Sequence, residues 1–108
     1  MNTSLPYCIV ITTTRNAEDA ETLAKKIVSE KLGACVQVQQ IRSYYMWNGE
    51  ACADAECLLL IKTKNVLYHQ LEQFITANHS YDTPEIIQIP VEAGSVKYLN
   101  WIDEVTNA

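Results

Sequence analysis

The chain has 108 residues, close to the commonest size for one domain, and is read as a single domain spanning 1–108. Its net charge of −5 argues against an electrostatic grip on nucleic acid or on an anionic membrane surface and weakly favours cations. Three glycines and three prolines leave little chain for linkers or disorder.

Met1 to Pro6 has no basic segment, and the apolar run Cys8 to Ile11 is too short for a leader or a membrane span, so a cytoplasmic chain is expected. Tyr7 to Thr14 is β-branched and apolar on both faces, which reads as a central strand. Asn16 suits the N-cap of the following helix, with Glu18 and Asp19 in its positive first turn. Ala20, Leu23, Ala24, Ile27 and Val28 give that helix one apolar stripe. Lys31 is expected in its last turn and Gly33 at its C-cap.

From Ala34 the pattern is extended: Val36 and Val38 alternate with Gln37 and Gln39. At Ile41 the apolar phase shifts by one, which predicts a bulge or bend. Asn48-Gly49 supplies both positive φ angles of a type I′ hairpin turn, and the return strand runs from Glu50 to Thr63. A second helix begins after Asn65 and buries Leu67, Leu71, Phe74 and Ile75. Pro84 permits a last strand in which Ile87, Ile89 and Val91 share a face. Gly94-Ser95 opens a short helix with Tyr98, Leu99, Ile102 and Val105 inward.

The order β-α-β-β-α-β with a short C-terminal helix predicts an α+β, ferredoxin-like sandwich: one sheet, with helices on one face. Each hairpin arm has about 14 residues, so at ~3.3 Å per residue it reaches roughly 45 Å. A domain of this length has a radius of gyration of about 13 Å, so the tip must overhang its core. The tip carries Tyr44, Tyr45, Met46 and Trp47, an apolar patch beside an open strand edge. A homo-oligomer assembled through these hairpins is the physical expectation.

Several segments resemble the CutA divalent-cation-tolerance family. They are Glu30–Val36 (EKLGACV), Ser43–Gly49 (SYYMWNG), Glu56–Thr63 (ECLLLIKT), His79–Ile86 (HSYDTPEI) and Tyr98–Ile102 (YLNWI), all in the family's order. The resemblance implies a tight homotrimer, cytoplasmic in bacteria, linked to tolerance of copper and other divalent cations. It also implies a copper-binding set of one cysteine and one or two histidines. In this chain Thr12 stands in the cysteine's place and Asn78 in the first histidine's, which leaves His79 as the candidate metal ligand. Imidazole suits copper, but one imidazole per chain makes a poor site unless copies combine. The plainer role for His79 is a helix end, where its charge meets the last carbonyls. His69 reads as solvated, as do the adjacent acidic pairs Glu18/Asp19 and Asp103/Glu104.

A second candidate site is the polar and aromatic set Tyr44, Trp47, Glu56, Lys62, Tyr81, Glu85 and Trp101, which could line a cleft between subunits. The competing reading makes the aromatics interface core and Glu56, Lys62 and Glu85 structural ion pairs. The four cysteines, Cys8, Cys35, Cys52 and Cys57, form no C-x-x-C pair and read as reduced residues of a cytoplasmic protein. An enzyme is not expected, because no nucleophile–base pair is visible. Thr12 to Asn16 lacks the glycines of a phosphate loop, and Leu58 to Ile61 occupy the strand where an RNA binder would place stacking aromatics. No cofactor is required, and copper or another divalent cation is the candidate ligand. The alternative function is a trimeric ligand-sensing module like the nitrogen-regulatory P-II proteins. The tight Asn-Gly turn, in place of a long mobile loop, weighs against it.

Overall fold

The computed structural model describes residues 5–108. Its elements run β1 (Tyr7–Thr14), α1 (Ala17–Ser29), β2 (Cys35–Trp47), β3 (Glu50–Lys64), a 3-10 turn (Asn65–Leu67), α2 (Tyr68–Ala77), β4 (Ile86–Pro90) and α3 (Val96–Val105). The strands form one antiparallel sheet in the order β2-β3-β1-β4, so β1 is internal as its two-sided apolar pattern requires. This is the ferredoxin-like α+β arrangement expected from the element order.

Residues opposite one another in an antiparallel pair share a face, so the register divides the sheet into two surfaces. Cys8 and Val10 of β1 lie with Cys57, Leu59 and Ile61 of β3 beneath the helices. They pack with Ala20, Leu23 and Ile27 of α1 and with Leu71 and Ile75 of α2. Burying an aliphatic side chain of this size stabilises by about 1.5–3 kcal/mol, so this layer carries most of the fold. The alternate residues Ile9, Ile11, Leu58, Leu60, Ile87 and Ile89 point the other way. On that side α3 covers only one end, where Ile102 packs on Tyr7 and Ala34 and the Tyr7 hydroxyl donates to Asp103.

Asn16 caps α1 as expected: its Oδ1 accepts the Asp19 N–H at 2.7 Å. The end of α1 differs from expectation. The helix stops at Ser29, and Lys31 rather than Gly33 takes the left-handed conformation, with φ of 58°. Gly33 is needed for space instead. A Cβ there would lie 2.7 Å from Ile61 Cγ2 and 2.9 Å from Ile27 Cγ2. Val28, at the edge of the apolar stripe, is 44% exposed, and Tyr98 on α3 is exposed rather than inward.

Nor is there a bulge at Ile41. The β2–β3 register continues unbroken from Cys35 opposite Lys62 to Trp47 opposite Glu50. The apolar phase changes because the core ends there, not because the strand slips. Beyond Cys57 the two arms leave β1 behind, so Ile41–Trp47 and Glu50–Glu56 pair only with each other. Asn48 and Gly49 both have positive φ, 50° and 78°, as the two-residue turn demands. The overhang stretches the chain to 44 × 33 × 22 Å, with a radius of gyration of 14.7 Å.

Candidate functional site

The turn between α2 and β4 brings the sequence-marked residues to the root of the hairpin. Helix α2 closes at Ala77, and the Asn78 side chain turns back to it, its Nδ2 donating to the Phe74 carbonyl at 2.8 Å. His79 follows, but its ring does not meet the last carbonyls of the helix. Nδ1 accepts the Tyr81 N–H at 3.0 Å, so the ring hydrogen sits on Nε2, which donates to the Thr13 carbonyl at 2.6 Å. Both nitrogens are thereby committed, and the ring pins the turn to the end of β1.

Thr12, in the position of the absent cysteine, is fully buried on the helix-covered side, and its Oγ1 has no hydrogen-bond partner. Asn78 and His79 are therefore each engaged in hydrogen bonds of their own, while the Thr12 hydroxyl makes none among the described residues. Among the described residues no group of three His, Cys, Asp or Glu side chains is placed to hold a metal ion.

The second candidate set is brought together in large part. Tyr44, Trp47, Glu56, Tyr81 and Glu85 line an open hollow of about 710 Å3 that runs along the hairpin, from Glu56 at its root to Trp47 at its tip, and faces the turn before β4. Tyr81 is fixed there by donating its hydroxyl to Glu56 Oε2 at 2.8 Å. Burial pushes the Tyr81 phenol well above its ordinary value, and the bond to Glu56 adds to the shift. Lys62 and Trp101 do not line the hollow. Lys62 bonds to Gln37 on the neighbouring strand, and Trp101 packs on Tyr98 along α3 with ring centroids 5.5 Å apart.

Sequence reasoning missed Tyr45, Asp54 and Asp82, which also line it. Tyr45 donates to Asp54, and this bond, aided by burial, pushes its phenol up to about 12. Strand alternation could have found the pair, since Asp54 lies two residues before Glu56 and on the same face. Four carboxylates reach the hollow, and among the described residues no basic side chain lines it.

An antiparallel sheet backed by two helices, with a hairpin overhanging one end and a polar–aromatic hollow along it, defines the class: a ferredoxin-like α+β protein with an extended central hairpin. The sequence profile of the CutA1 divalent ion tolerance protein family matches residues 8–105, and the chain belongs to that family. The chain is 44% identical over 106 residues to a chloroplastic CutA 1 protein of Oryza sativa subsp. japonica, covering 97% of this chain and 60% of the relative. It is 40% identical to a divalent-cation tolerance protein CutA of Thermus thermophilus, covering 91% of this chain and 96% of that one. The chain thus spans about 60% of the length of the rice relative and nearly all of the bacterial one.

The solved structure of CutA1 from Oryza sativa superposes with a TM-score of 0.93 at 43% identity, over 98% of both chains. The structure of a protein described as the periplasmic divalent cation tolerance protein CutA from Archaeoglobus fulgidus gives 0.90 at 35% identity, over 92% of this chain and 97% of that one. Relatives carry chloroplastic and periplasmic descriptions, so kinship does not settle the compartment. Among the described residues no helix is long and apolar enough to cross a membrane.

Proposed function

We propose that this chain serves divalent-cation tolerance as a homotrimer and that copper is the metal it meets. The observation that carries the assembly is the uncovered side of the sheet, where Ile87 and Ile89 are 49% and 42% exposed beside Ile9, Ile11, Leu58 and Leu60. Each is already at least half buried, so covering the rest is worth about 0.5–1.5 kcal/mol apiece, which favours association when summed over the face. The hairpin tip adds Tyr44, Met46 and Trp47 at 75%, 67% and 60% exposure. A closed ring of three is the arrangement that kinship to the family supports.

Sedimentation equilibrium tests this directly. The expected mass is three chains, and Leu60→Asp is expected to give single chains with an unchanged circular dichroism spectrum. A wild type that sediments as one chain would overturn the assembly.

Copper would meet His79, because imidazole is a good copper ligand. Binding has to displace either the Tyr81 N–H or the Thr13 carbonyl from the ring, so weak affinity is expected. Calorimetric titration of Cu(II) should show a dissociation constant above micromolar, raised at least tenfold by His79→Ala. Binding unchanged by that substitution would remove His79 from the metal site. We read the protein as non-enzymatic, since neither His79 nitrogen is free to act as a base. We read it as cytoplasmic because its four cysteines are all free.

A second reading, a ligand-sensing module, is favoured by the hollow along the hairpin. Its volume lies within the range of small-molecule sites, and its walls combine aromatic faces with a few polar groups.

A further inference from the structure

The uncovered side of the sheet is polarised along one strand. From the hairpin turn inward, β3 presents the acids Glu50, Asp54 and Glu56 on that side, then Leu58 and Leu60, then the bases Lys62 and Lys64, with Cys52 among the acids. The residues of β1, β2 and β4 that share this face include no Asp, Glu, Lys or Arg, so no neighbouring strand cancels the order. The turn before β4 adds Asp82 and Glu85 near the acidic end. At the other end α3 brings Asp103 to the Tyr7 hydroxyl, where Lys62 and Lys64 outnumber it.

These charges are not neutralised within the chain. The ion pairs among the described residues are Arg15–Asp19 and Lys25–Glu21, on or beside α1. Asp54 and Glu56 accept phenol hydroxyls, and Lys62 donates to the Gln37 side chain; all three partners are neutral and leave the charge in place. Glu56 and Lys62 stand roughly 20 Å apart at ~3.3 Å per residue of strand. That is about twice the screening length at ~0.1 M salt, so the two ends do not offset each other. A second copy laid on this face, with its ends reversed relative to the first, supplies what each end lacks.

We propose that the copies join head to tail, the acidic hairpin end of one seated on the Lys62–Lys64 end of the next. Glu50 to Glu56 lie beyond the end of β1, so they overhang their own core and can reach a neighbour. Leu58 and Leu60 lie between the charged ends and supply attraction; the charges supply direction. Like ends brought together would set acid on acid, which opposes association. Contact between unlike ends is also what a closed ring needs, because each copy gives one surface and receives on a different one. This orientation rests on the homotrimer reading and adds to it which surfaces meet.

Sedimentation of the full chain at fixed concentration, in increasing urea, reads the urea concentration at which the assembly comes apart. Urea is uncharged and leaves ion pairs unscreened. Glu50→Lys with Asp54→Lys, and separately Lys62→Glu with Lys64→Glu, should each lower that concentration by at least ~0.5 M. A chain carrying all four substitutions should recover most of the loss, since its two ends have only exchanged sign. Mixing the two double variants should give assemblies containing both chains and more resistant than either variant alone. Lys62→Gln with Lys64→Gln removes charge without reversing it, and it too should lower the concentration if the reversed variants fail to fold. Neutral or reversed variants that resist urea as well as the wild type, or a fourfold variant no better than either double, would overturn the head-to-tail contact and leave the homotrimer standing. A wild type that sediments as one chain before urea is added would overturn both.

Discussion

Strand β3 lives in two environments. From Cys57 to Lys64 it lies between β1 and β2, and its alternate residues Leu59 and Ile61 are completely buried under the helices. From Glu50 to Glu56 it pairs only with β2, and its surroundings are solvent, Tyr45, the exposed Trp47 and, at Glu56, the Tyr81 hydroxyl. The backbone hydrogen bonding is the same in both halves; what differs is burial. The inner half holds the fold, and the outer half is free to present groups to a ligand or to another copy.

Substitutions of graded severity test that division. Leu59→Ala, in the buried half, should cost about 3 kcal/mol, measured by urea unfolding at fixed chain concentration, because it leaves a cavity under α1 and α2. Gly33→Ala should cost about 2 kcal/mol in the same assay, since its Cβ would press on Ile61 and Ile27 within that layer. Gly49→Ala, at the tip, meets no atom within 4 Å and strains only its own positive φ. It should cost about 1 kcal/mol. A Gly49→Ala cost equal to that of Leu59→Ala would show that the overhang also holds the fold.

The smallest effect is electrostatic. The Tyr45 phenol is held above its ordinary value of 10.0, chiefly by its bond to Asp54. A raised folded value means that the stabilisation from this bond is fully present below pH 10 and is lost as the pH rises through about 12. Phenolate absorbance should therefore show Tyr45 titrating near 12 in the wild type and returning toward 10 in Asp54→Asn. An unchanged titration would mean that Asp54 does not set the polarity of the outer half.

Much of this was legible in the sequence, because local chemistry decided it. The β-branched run of β1, the Asn16 cap and the Asn48-Gly49 turn each follow from one or two side chains. Where reading failed, a long-range contact decided. Gly33 looked like a helix cap but answers to Ile61, a strand partner far along the chain. The phase change at Ile41 looked like a bulge because alternation records burial, and burial ends there while pairing does not. His79 looked like a helix end or a ligand; its hydrogen bond to Thr13 is a tertiary contact that no spacing encodes. In the hollow, the aromatic and acidic motif residues were visible in sequence. The exclusion of Lys62 and Trp101 was not: Lys62 shares a face with Glu56 but lies further along β3, where it bonds to Gln37, and Trp101 packs on Tyr98 along α3.

The unbroken hairpin register also has a consequence in time. Its contacts begin at adjacent residues and zip outward from a two-residue turn, whereas β1 must wait for Cys57–Lys64 and then for Ile86–Pro90, near the other end of the chain. Isolated hairpins form in about 1–10 μs, and long-range strand pairing is slower because it closes large loops first. The hairpin can therefore stand, with its aromatic tip and free strand edge, before there is a core to hold it. A nascent chain in that state is poised between correct association and edge-to-edge aggregation, and crowding by its own kind decides which comes first.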